Sequence, residues 1–468
     1  MKKIRKNLFL IMFGVSLFVS IFLYHSGINF YFFQDDFFEI GSAKANNLQE
    51  YISFFQFRPD IVDWRPISQL NYFFFTQKIF GLNPIGYRFF SFMLMFATAF
   101  LIAKTTKYIT KKQNIGLLTA SFWLTSSIHF TNLTWISASY IIIGTFFFML
   151  TTFLFIKRLY FFAIFSFLMA IGSFEFAITW PAIMGVYNFW MLKNSAKQTI
   201  TKFSPYLVIS AVYLLARLFF MHVPKIPEYT IAVNFESAKA FFWYVLWTFN
   251  IPEEFKKQIT NNLIVFNKKF ALEYLLLIVV TFSSAAISIL LGIILPLLKG
   301  LQKKIILDLK LIAFCLFWFI AAISPVLIIP NHTFIMYLAL CSIGMYMAMS
   351  YLLISTASKK YILVVFFIWT IGSVYTINFY KNNFWMVNAQ KFAKQFAINI
   401  QSEFPHLPPN SVVYYTLDDT RAIQALQNKD AIKLLLDDQT ISIYYNKEAL
   451  IEDLENLNTR PIYIYSNP

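Results

Sequence analysis

A small set of ionisable side chains lies near the ends of long apolar segments. Two adjacent carboxylates, Asp35 and Asp36, follow the first apolar segment, and Arg88 and Arg217 lie a few residues inside the ends of two others. At the helical rise of 1.5 Å per residue, these arginines lie about 6–8 Å below the helix ends, at the depth of lipid head groups. A guanidinium group matches phosphate oxygens with two parallel donors. The pattern therefore suits a lipid phosphate with a reacting group just above it.

Each of these residues also has a purely structural explanation. An arginine near a helix end can extend its charged group to the membrane surface, and either aspartate can cap the helix that follows it. Ionisable groups within spans are nevertheless costly and usually functional. Because these groups share one depth, their grouping favours a common site, although each residue taken alone leaves both explanations open.

The elements that must position these residues are membrane-spanning helices. The chain of 468 residues is 58% hydrophobic and only 13% charged, whereas soluble domains have about 25% charged residues. This composition excludes a soluble enzyme, and the two cysteines within apolar runs exclude a disulfide scaffold. Windows of about 20 apolar residues predict eleven spans. The predicted spans are 7–28, 85–103, 114–129, 136–156, 159–174, 176–192, 203–221, 271–298, 311–329, 333–354 and 361–379.

The distribution of charge orients these spans. If the N-terminus is cytoplasmic, Lys and Arg are concentrated in the cytoplasmic connections, where Asp308 is the one acid among the chain's 23 Asp and Glu. The positive-inside rule then predicts a multi-pass protein of the plasma (inner) membrane with an extracytoplasmic C-terminus. Residues 1–28 are expected to be a retained signal anchor, because the apolar run is too long for a signal-peptide core. The net charge of +16 makes membrane lipid the expected partner and does not imply nucleic acid.

Three regions lie outside the predicted spans, all on the extracytoplasmic side, and chemistry is expected there. They are a first outer loop at about 29–84, a second outer loop at about 222–270, and a tail at 380–468. The first two belong to a transmembrane domain at 1–379. In the first loop we predict one amphipathic helical segment from Asp35 to Phe57 and a second helix that begins at Pro66 and ends at Gly81.

The tail differs from the rest of the chain in its hydrophobic pattern. Short alternating segments predict strands at 411–416, 441–445 and 462–465, with helices near 420–436 and 447–457 between them. Together they predict a small α/β domain, introduced by a linker that contains Pro405, Pro408 and Pro409. An ion-coupled transporter is not favoured, because neither ionisable groups at the membrane midplane nor repeated halves are visible.

Several short motifs follow one another around the predicted spans. They are Gln34-Asp35-Asp36-Phe37, Asp63-Trp64-Arg65-Pro66-Ile67, Phe80-Gly81-Leu82-Asn83-Pro84-Ile85-Gly86-Tyr87, Thr134-Trp135-Ile136-Ser137, Ser173-Phe174-Glu175, and Asn331-His332 with Tyr337. Over about residues 1–355 they resemble the GT-C superfamily of integral-membrane glycosyltransferases, in its protein O-mannosyltransferase-like and TPR-containing O-mannosyltransferase-like branch. The chain differs from that branch at Arg88, where His is common, and at Phe174, where Lys is common, and its tail has no tetratricopeptide repeats.

The resemblance implies a GT-C-like fold and an inverting transfer of a sugar from a polyprenyl-phosphate donor to an acceptor hydroxyl on the extracytoplasmic face. One carboxylate must accept the hydroxyl proton, and cations must hold the departing phosphate. The base is assigned to Asp35, with Asp36 as second choice. Asp36 could instead orient the loop, or it could bind a divalent metal together with Asp35. The phosphate is assigned to Arg65, Arg88, Arg217, His332 and Tyr337, and sugar binding or structural support to Trp64 and Glu175.

Other functions remain open from the sequence. A lipid-linked oligosaccharide transporter or flippase also handles phosphate-linked glycans, and a non-catalytic membrane scaffold could bind a partner through its tail. No His and Cys cluster has the spacing of a zinc site, so no cofactor beyond a divalent metal is suggested. The donor sugar and the acceptor, whether protein, lipid or glycan, are not specified.

Overall fold

Long apolar helices form most of the structure. The computed structural model describes residues 8–57, 62–221, 226–260, 265–302, 307–404, 406–416, 420–453 and 461–466. Within these residues, eight helices are long and apolar enough to cross a membrane. They are Leu8–Asn29, Pro84–Thr110, Ile136–Ile156, Ala196–Phe220, Leu275–Gln302, Leu309–Leu327, Ile335–Thr356 and Lys359–Glu403. Each overlaps one of the predicted spans, and the protein is an α-helical membrane protein.

The other three predicted spans, at 114–129, 159–174 and 176–192, correspond to shorter helices. These are Gln113–Leu124, Tyr160–Ile171 and Trp180–Val186, the last continuing as the π-helix Tyr187–Met191. A helix of 12 residues is about 18 Å long, which is less than the hydrocarbon thickness of about 30 Å. The count of eleven spans therefore stays a prediction.

Close approach between helices depends on glycines at two crossings. A side-chain carbon at Gly116 would lie 2.1 Å from the Ala103 carbonyl oxygen, and one at Gly344 would lie 2.4 Å from the Cys315 carbonyl oxygen. Small residues allow such contacts between backbones, and they are common where membrane helices pack. These glycines therefore fix the distance between helices that carry the buried core.

The first outer loop contains more helical segments than predicted. The segment after Asp35 is not one helix but two, Asp35–Ser42 and Leu48–Ser53, because Asn47 caps the second through its side chain. The later helix agrees with its prediction. It begins as the π-helix Pro66–Asn71 and continues as Tyr72–Phe80, and Gly81 ends it with a φ of 56°.

Shorter helices occupy the remaining connections. They are His129–Thr134, Phe235–Thr248, Phe255–Gln258, Lys268–Glu273 and the 3₁₀ turns Ile136–Ala138, Glu175–Thr179, Pro227–Tyr229 and Ile335–Tyr337. A two-stranded antiparallel pair, Ile259–Thr260 with Val265–Phe266, lies in the second outer loop. Phe235–Thr248 has a capping box formed by Asn234 and Ser237.

The C-terminal tail contains the predicted α/β fold. Strand Val412–Thr416 lies in the centre of a parallel three-stranded sheet, between Ser442–Tyr444 and Ile462–Ser466. Its helices are Thr420–Ala425, Asp430–Leu435 and Lys447–Asp453. Two predicted features, Pro405 and the end of the 447–457 helix, lie outside the described residues.

The helix Trp385–Glu403 was not predicted. It follows Lys359–Asn383 almost without interruption and leads to the sheet, so a helix crosses the predicted domain boundary at residue 380. The described residues between 406 and 466 form a unit that we call the C-terminal domain. The predicted boundary placed this amphipathic helix in the tail because its hydropathy is low, although its Phe396 and Ile400 are buried.

The C-terminal domain packs against the helix that carries the two aspartates. Helix Asp430–Leu435 lies beside helix Asp35–Ser42, and the Gln34 N–H donates to the Ala425 carbonyl oxygen at 2.8 Å. An exposed ion pair joins Lys44 to Asp437 at 3.2 Å. The start of the Asp35–Ser42 helix is therefore held by residues that lie almost 400 positions later in the chain.

Candidate functional site

A cavity of about 1100 Å³ lies at the ends of several long helices. Tyr140 lines it from near the start of Ile136–Ile156, and Arg217 lines it from near the end of Ala196–Phe220. Seven of the nine predicted site residues line this cavity. They are Asp35, Trp64, Arg65, Glu175, Arg217, His332 and Tyr337. The two exceptions, Asp36 and Arg88, are buried beside the cavity and do not line it.

An ion-pair network crosses the cavity wall. Arg65 Nε lies 2.7 Å from Glu175 Oε1, and Arg65 Nη2 lies 3.3 Å from Asp63 Oδ2. The second carboxylate oxygen of Asp63 lies 3.6 Å from Arg217 Nη1. Burial disfavours the charge on Asp63, but Arg65 and Arg217 together hold its pKa below its usual range. Asp63 therefore remains an anion that connects the two arginines.

The two arginines differ in how firmly they are held. The Arg65 side chain is 10% exposed, and its guanidinium carbon lies 3.7 Å from the ring centre of Tyr140. Such stacking and two carboxylate partners fix the planar group in one orientation. The Arg217 side chain is 29% exposed, and its contacts with Asp63 and the Val62 carbonyl are long, at 3.6 and 3.4 Å. Arg217 is therefore the cation that can turn toward a ligand.

Asp35 reaches the cavity from the first position of its helix. The helix starts without a side-chain cap, and its preceding residue Gln34 has a φ of 50°. Neither aspartate therefore caps this helix. Burial raises the pKa of Asp35 to about 6, although the charge of Arg65 opposes the shift. A carboxylate with this pKa is ionised at neutral pH and is a stronger base than an exposed aspartate.

Asp36 points away from the cavity, because consecutive helical residues are about 100° apart. One carboxylate oxygen accepts from the Ser137 N–H at 2.7 Å and from Ser137 Oγ at 2.8 Å, and the other accepts from the Phe33 N–H at 3.2 Å. Burial raises its pKa to about 7, against the opposing effects of Arg88 and Ser137. Asp36 therefore fits the predicted orienting role and not that of the base.

Arg88 binds backbone carbonyl groups instead of facing the cavity. Its Nε and Nη2 donate to the Thr134 carbonyl oxygen at 3.0 and 2.8 Å, and Nη1 donates to the Phe30 carbonyl oxygen. Nη2 also donates to the Tyr31 carbonyl oxygen at 3.3 Å. Carbonyl groups at chain turns attract cations because they have no helical partner. The structure therefore gives Arg88 a different position from the one predicted, since depth in a helix does not specify which side a residue faces.

Aromatic and imidazole groups form another part of the cavity wall. His332 Nε2 lies 3.0 Å from the Tyr337 hydroxyl, and the His332 ring stacks on Tyr229 with 4.6 Å between ring centres. Burial lowers the pKa of His332, although the charge of Asp63 acts in the opposite direction. The imidazole is therefore neutral at neutral pH. Trp64 stacks on Phe57 at 4.5 Å and donates to the Phe55 carbonyl oxygen.

One wall of the cavity is apolar and lies beside Arg217. It is formed by residues at the ends of two long helices and in the segments that follow them. They are Leu214, Leu218, Ile231, Pro325, Val326, Ile328 and Ile329. Leu218 is 75% exposed, which a helix in lipid tolerates but a soluble surface would not favour. The cavity therefore combines a charged end with an apolar side.

Several cavity residues were missed by the sequence analysis. Asp63 begins the Asp63–Ile67 motif, and its position two residues before Arg65 indicates that the two side chains can pair. Glu39 lies four residues after Asp35, so helical periodicity places it on the same face. Gln427 comes from the C-terminal domain, and no pattern in the sequence predicts that contact.

Among the described residues, no group of three or more His, Cys, Asp or Glu side chains is arranged to hold a metal ion. Both oxygens of Asp36 are occupied by hydrogen bonds from Phe33 and Ser137, so a metal shared by Asp35 and Asp36 does not fit this geometry.

Comparison of the sequence with protein-family models and with curated proteins gives no match.

Proposed function

We propose that the protein is a membrane glycosyltransferase that transfers a sugar from a polyprenyl-phosphate donor to an acceptor hydroxyl. The observation that carries the proposal is the composition of a single cavity. It has an apolar side at helix ends, a partly exposed Arg217 next to that side, and a half-buried carboxylate, Asp35, within the same space. A substrate with a lipid tail, a phosphate and a sugar needs these three environments in this order.

The lipid part of the donor fits the apolar side. Leu214 and Leu218 belong to the Ala196–Phe220 helix and Pro325 to the Leu309–Leu327 helix, and all three line the cavity. A prenyl chain lying between these helices would place its phosphate at Arg217. His332 and Tyr337 are further donors for the phosphate oxygens, and Arg65 keeps the wall in place through Glu175 and Asp63.

Asp35 would act as the general base. The acceptor oxygen forms a bond to the anomeric carbon while the bond from that carbon to the phosphate oxygen breaks. The electron pair leaves with the polyprenyl phosphate, and the acceptor proton passes to Asp35 and then to water. The leaving phosphate needs no protonation, so the paired acid and base of glycoside hydrolysis are not both required. Direct displacement inverts the configuration at the anomeric carbon.

The proposal gives the remaining predicted residues supporting roles. Asp36 and Arg88 hold the chain on both sides of Asp35, while Trp64 and Glu175 shape the sugar end of the cavity. The likeness of the motifs to the GT-C superfamily supports the same reaction. The basic connections support an inner-membrane location with this cavity and the C-terminal domain on the extracytoplasmic face.

The test is a transfer assay with purified protein in detergent or liposomes and synthetic polyprenyl-phosphate sugars. The wild type should release polyprenyl phosphate, and Asp35→Asn should lose at least about 100-fold in rate, which is the usual contribution of a general base. Glu403→Gln changes an exposed carboxylate outside the cavity and serves as the control. Movement of intact donor across the membrane without release would support a flippase, and inactivity with every donor would support a scaffold. Either result would overturn the proposal.

A further inference from the structure

A second carboxyl group lies on the Asp35–Ser42 helix, one turn after Asp35. Residues four apart on a helix are neighbours on the same face, and both Asp35 and Glu39 line the cavity. Glu39 is 6% exposed. Its Oε1 accepts a hydrogen bond from Gln69 Nε2 at 2.7 Å, and Gln69 is held on the Pro66–Asn71 π-helix. Glu39 is therefore fixed in the wall rather than solvated.

The surroundings of Glu39 are unfavourable for two negative charges. Among the described residues, Glu39 has no ion pair within 4.0 Å, whereas Asp63 and Glu175 have Arg65 as a close partner. Two neighbouring carboxylates in a buried site do not ionise together readily. One of the pair therefore keeps its proton, and the unpaired, more deeply buried Glu39 is the group that keeps it.

We propose that Glu39 is a second functional carboxyl group of the cavity, which donates a hydrogen bond from its protonated oxygen to the bound sugar or acceptor while Asp35 accepts the acceptor proton. This inference rests on the proposed glycosyl transfer. Gln69 occupies Oε1 of Glu39, which leaves Oε2 to carry the proton and to donate it in a hydrogen bond. No proton is transferred from Glu39 in the reaction; its hydrogen bond orients the hydroxyl that Asp35 must reach.

The charged groups around the pair are compatible with this division of roles. Burial and the neighbouring Asp35 raise the pKa of Glu39 to about 8, against the opposing charge of Arg65. Asp63 and Asp36 act in the same direction as Asp35. From the C-terminal domain, Asp430 raises the pKa of Asp35. The Ile136–Ala138 turn, which also packs against this helix, carries no titratable side chain.

The pH dependence of transfer tests the inference. Activity of the wild type should rise with pH through about 6, as Asp35 ionises, and fall above about 8, as Glu39 loses its proton. At pH 9 the protonated fraction of Glu39, and with it the rate, should be about one-tenth of its maximum. Glu39→Gln keeps a neutral donor that cannot ionise. Its rising limb should remain and its falling limb should disappear.

Two further variants complete the experiment. Glu39→Asp keeps an ionisable group but shortens its reach, so the falling limb of the pH profile should remain while kcat drops. If Glu39→Gln fails to fold, a Glu39→Asp variant with wild-type kcat would still contradict the proposal. Glu236→Gln removes an exposed carboxylate on another helix and should keep both limbs. A falling limb that persists in Glu39→Gln overturns the role of Glu39 alone. Absence of transfer by the wild type overturns the proposed function instead.

Discussion

Replacement of Arg217 by alanine should weaken donor binding much more than it slows turnover. Arg217 is the partly exposed cation beside the apolar side of the cavity, and its contact with Asp63 is long, at 3.6 Å. Hydrogen bonds to a charged group contribute about 1.5–3 kcal/mol, and partial exposure of the side chain reduces this contribution. Since about 1.4 kcal/mol is a factor of ten in affinity, KM for the donor should rise roughly tenfold in Arg217→Ala.

The lysine variant separates charge from geometry. Arg217→Lys keeps the positive charge but loses the planar fork that matches two phosphate oxygens. Its donor KM should lie between those of the wild type and the alanine variant. Arg158→Ala removes an exposed arginine that does not line the cavity, and its kinetics should match those of the wild type.

Steady-state kinetics with a synthetic short-chain polyprenyl-phosphate sugar provides the measurement. If both Arg217 variants show ordinary saturation kinetics with an unchanged KM for the donor, the assignment of the donor phosphate to Arg217 is refuted. A loss of kcat with unchanged KM would place Arg217 in the chemical step rather than in binding.

Three further predictions concern the support of the site. Arg88→Met should lower the free energy of unfolding by about 1–3 kcal/mol, because it leaves the buried carbonyl oxygens of Phe30 and Thr134 without their donor; thermal unfolding in detergent measures this loss, and an unchanged melting temperature would contradict it. Asp36→Asn keeps an acceptor for Ser137 but removes the charge, so transfer should fall less than in Asp35→Asn, and equal losses in the two variants would show that the assignment of the base is wrong. Gln34→Gly should stabilise the protein by up to about 1 kcal/mol, because glycine adopts a φ of 50° without steric cost; a lower melting temperature would argue against strain at this position.

The sequence predicted the helices of the membrane region because long apolar runs leave few alternatives. Helix ends marked by proline or glycine were also predictable. Pro66 starts one helix, and Gly81, with its φ of 56°, ends it. The segment from Asp35 to Phe57 was predicted as a single helix, since its apolar pattern continues across the break at Asn47. Three short helices were predicted as full spans, because hydropathy alone does not show where a helix is interrupted.

The site was predicted in part, and the failures have two causes. Depth along a helix placed Arg88 and Arg217 at the same level, but the side each faces depends on its neighbours. Arg217 reaches the cavity, whereas the carbonyls of Phe30 and Thr134 bind Arg88. Contacts between distant parts of the chain, such as the approach of Gln427 to the cavity, leave no local signal at all.

The most direct test of the central claim is an experimental structure of the Asp35→Asn variant with a bound polyprenyl-phosphate sugar. The account predicts that the phosphate lies within hydrogen-bond distance of Arg217, with the prenyl chain along Leu214 and Leu218 and the anomeric carbon facing residue 35. A donor bound at a different surface, or a phosphate that does not contact Arg217, would contradict it.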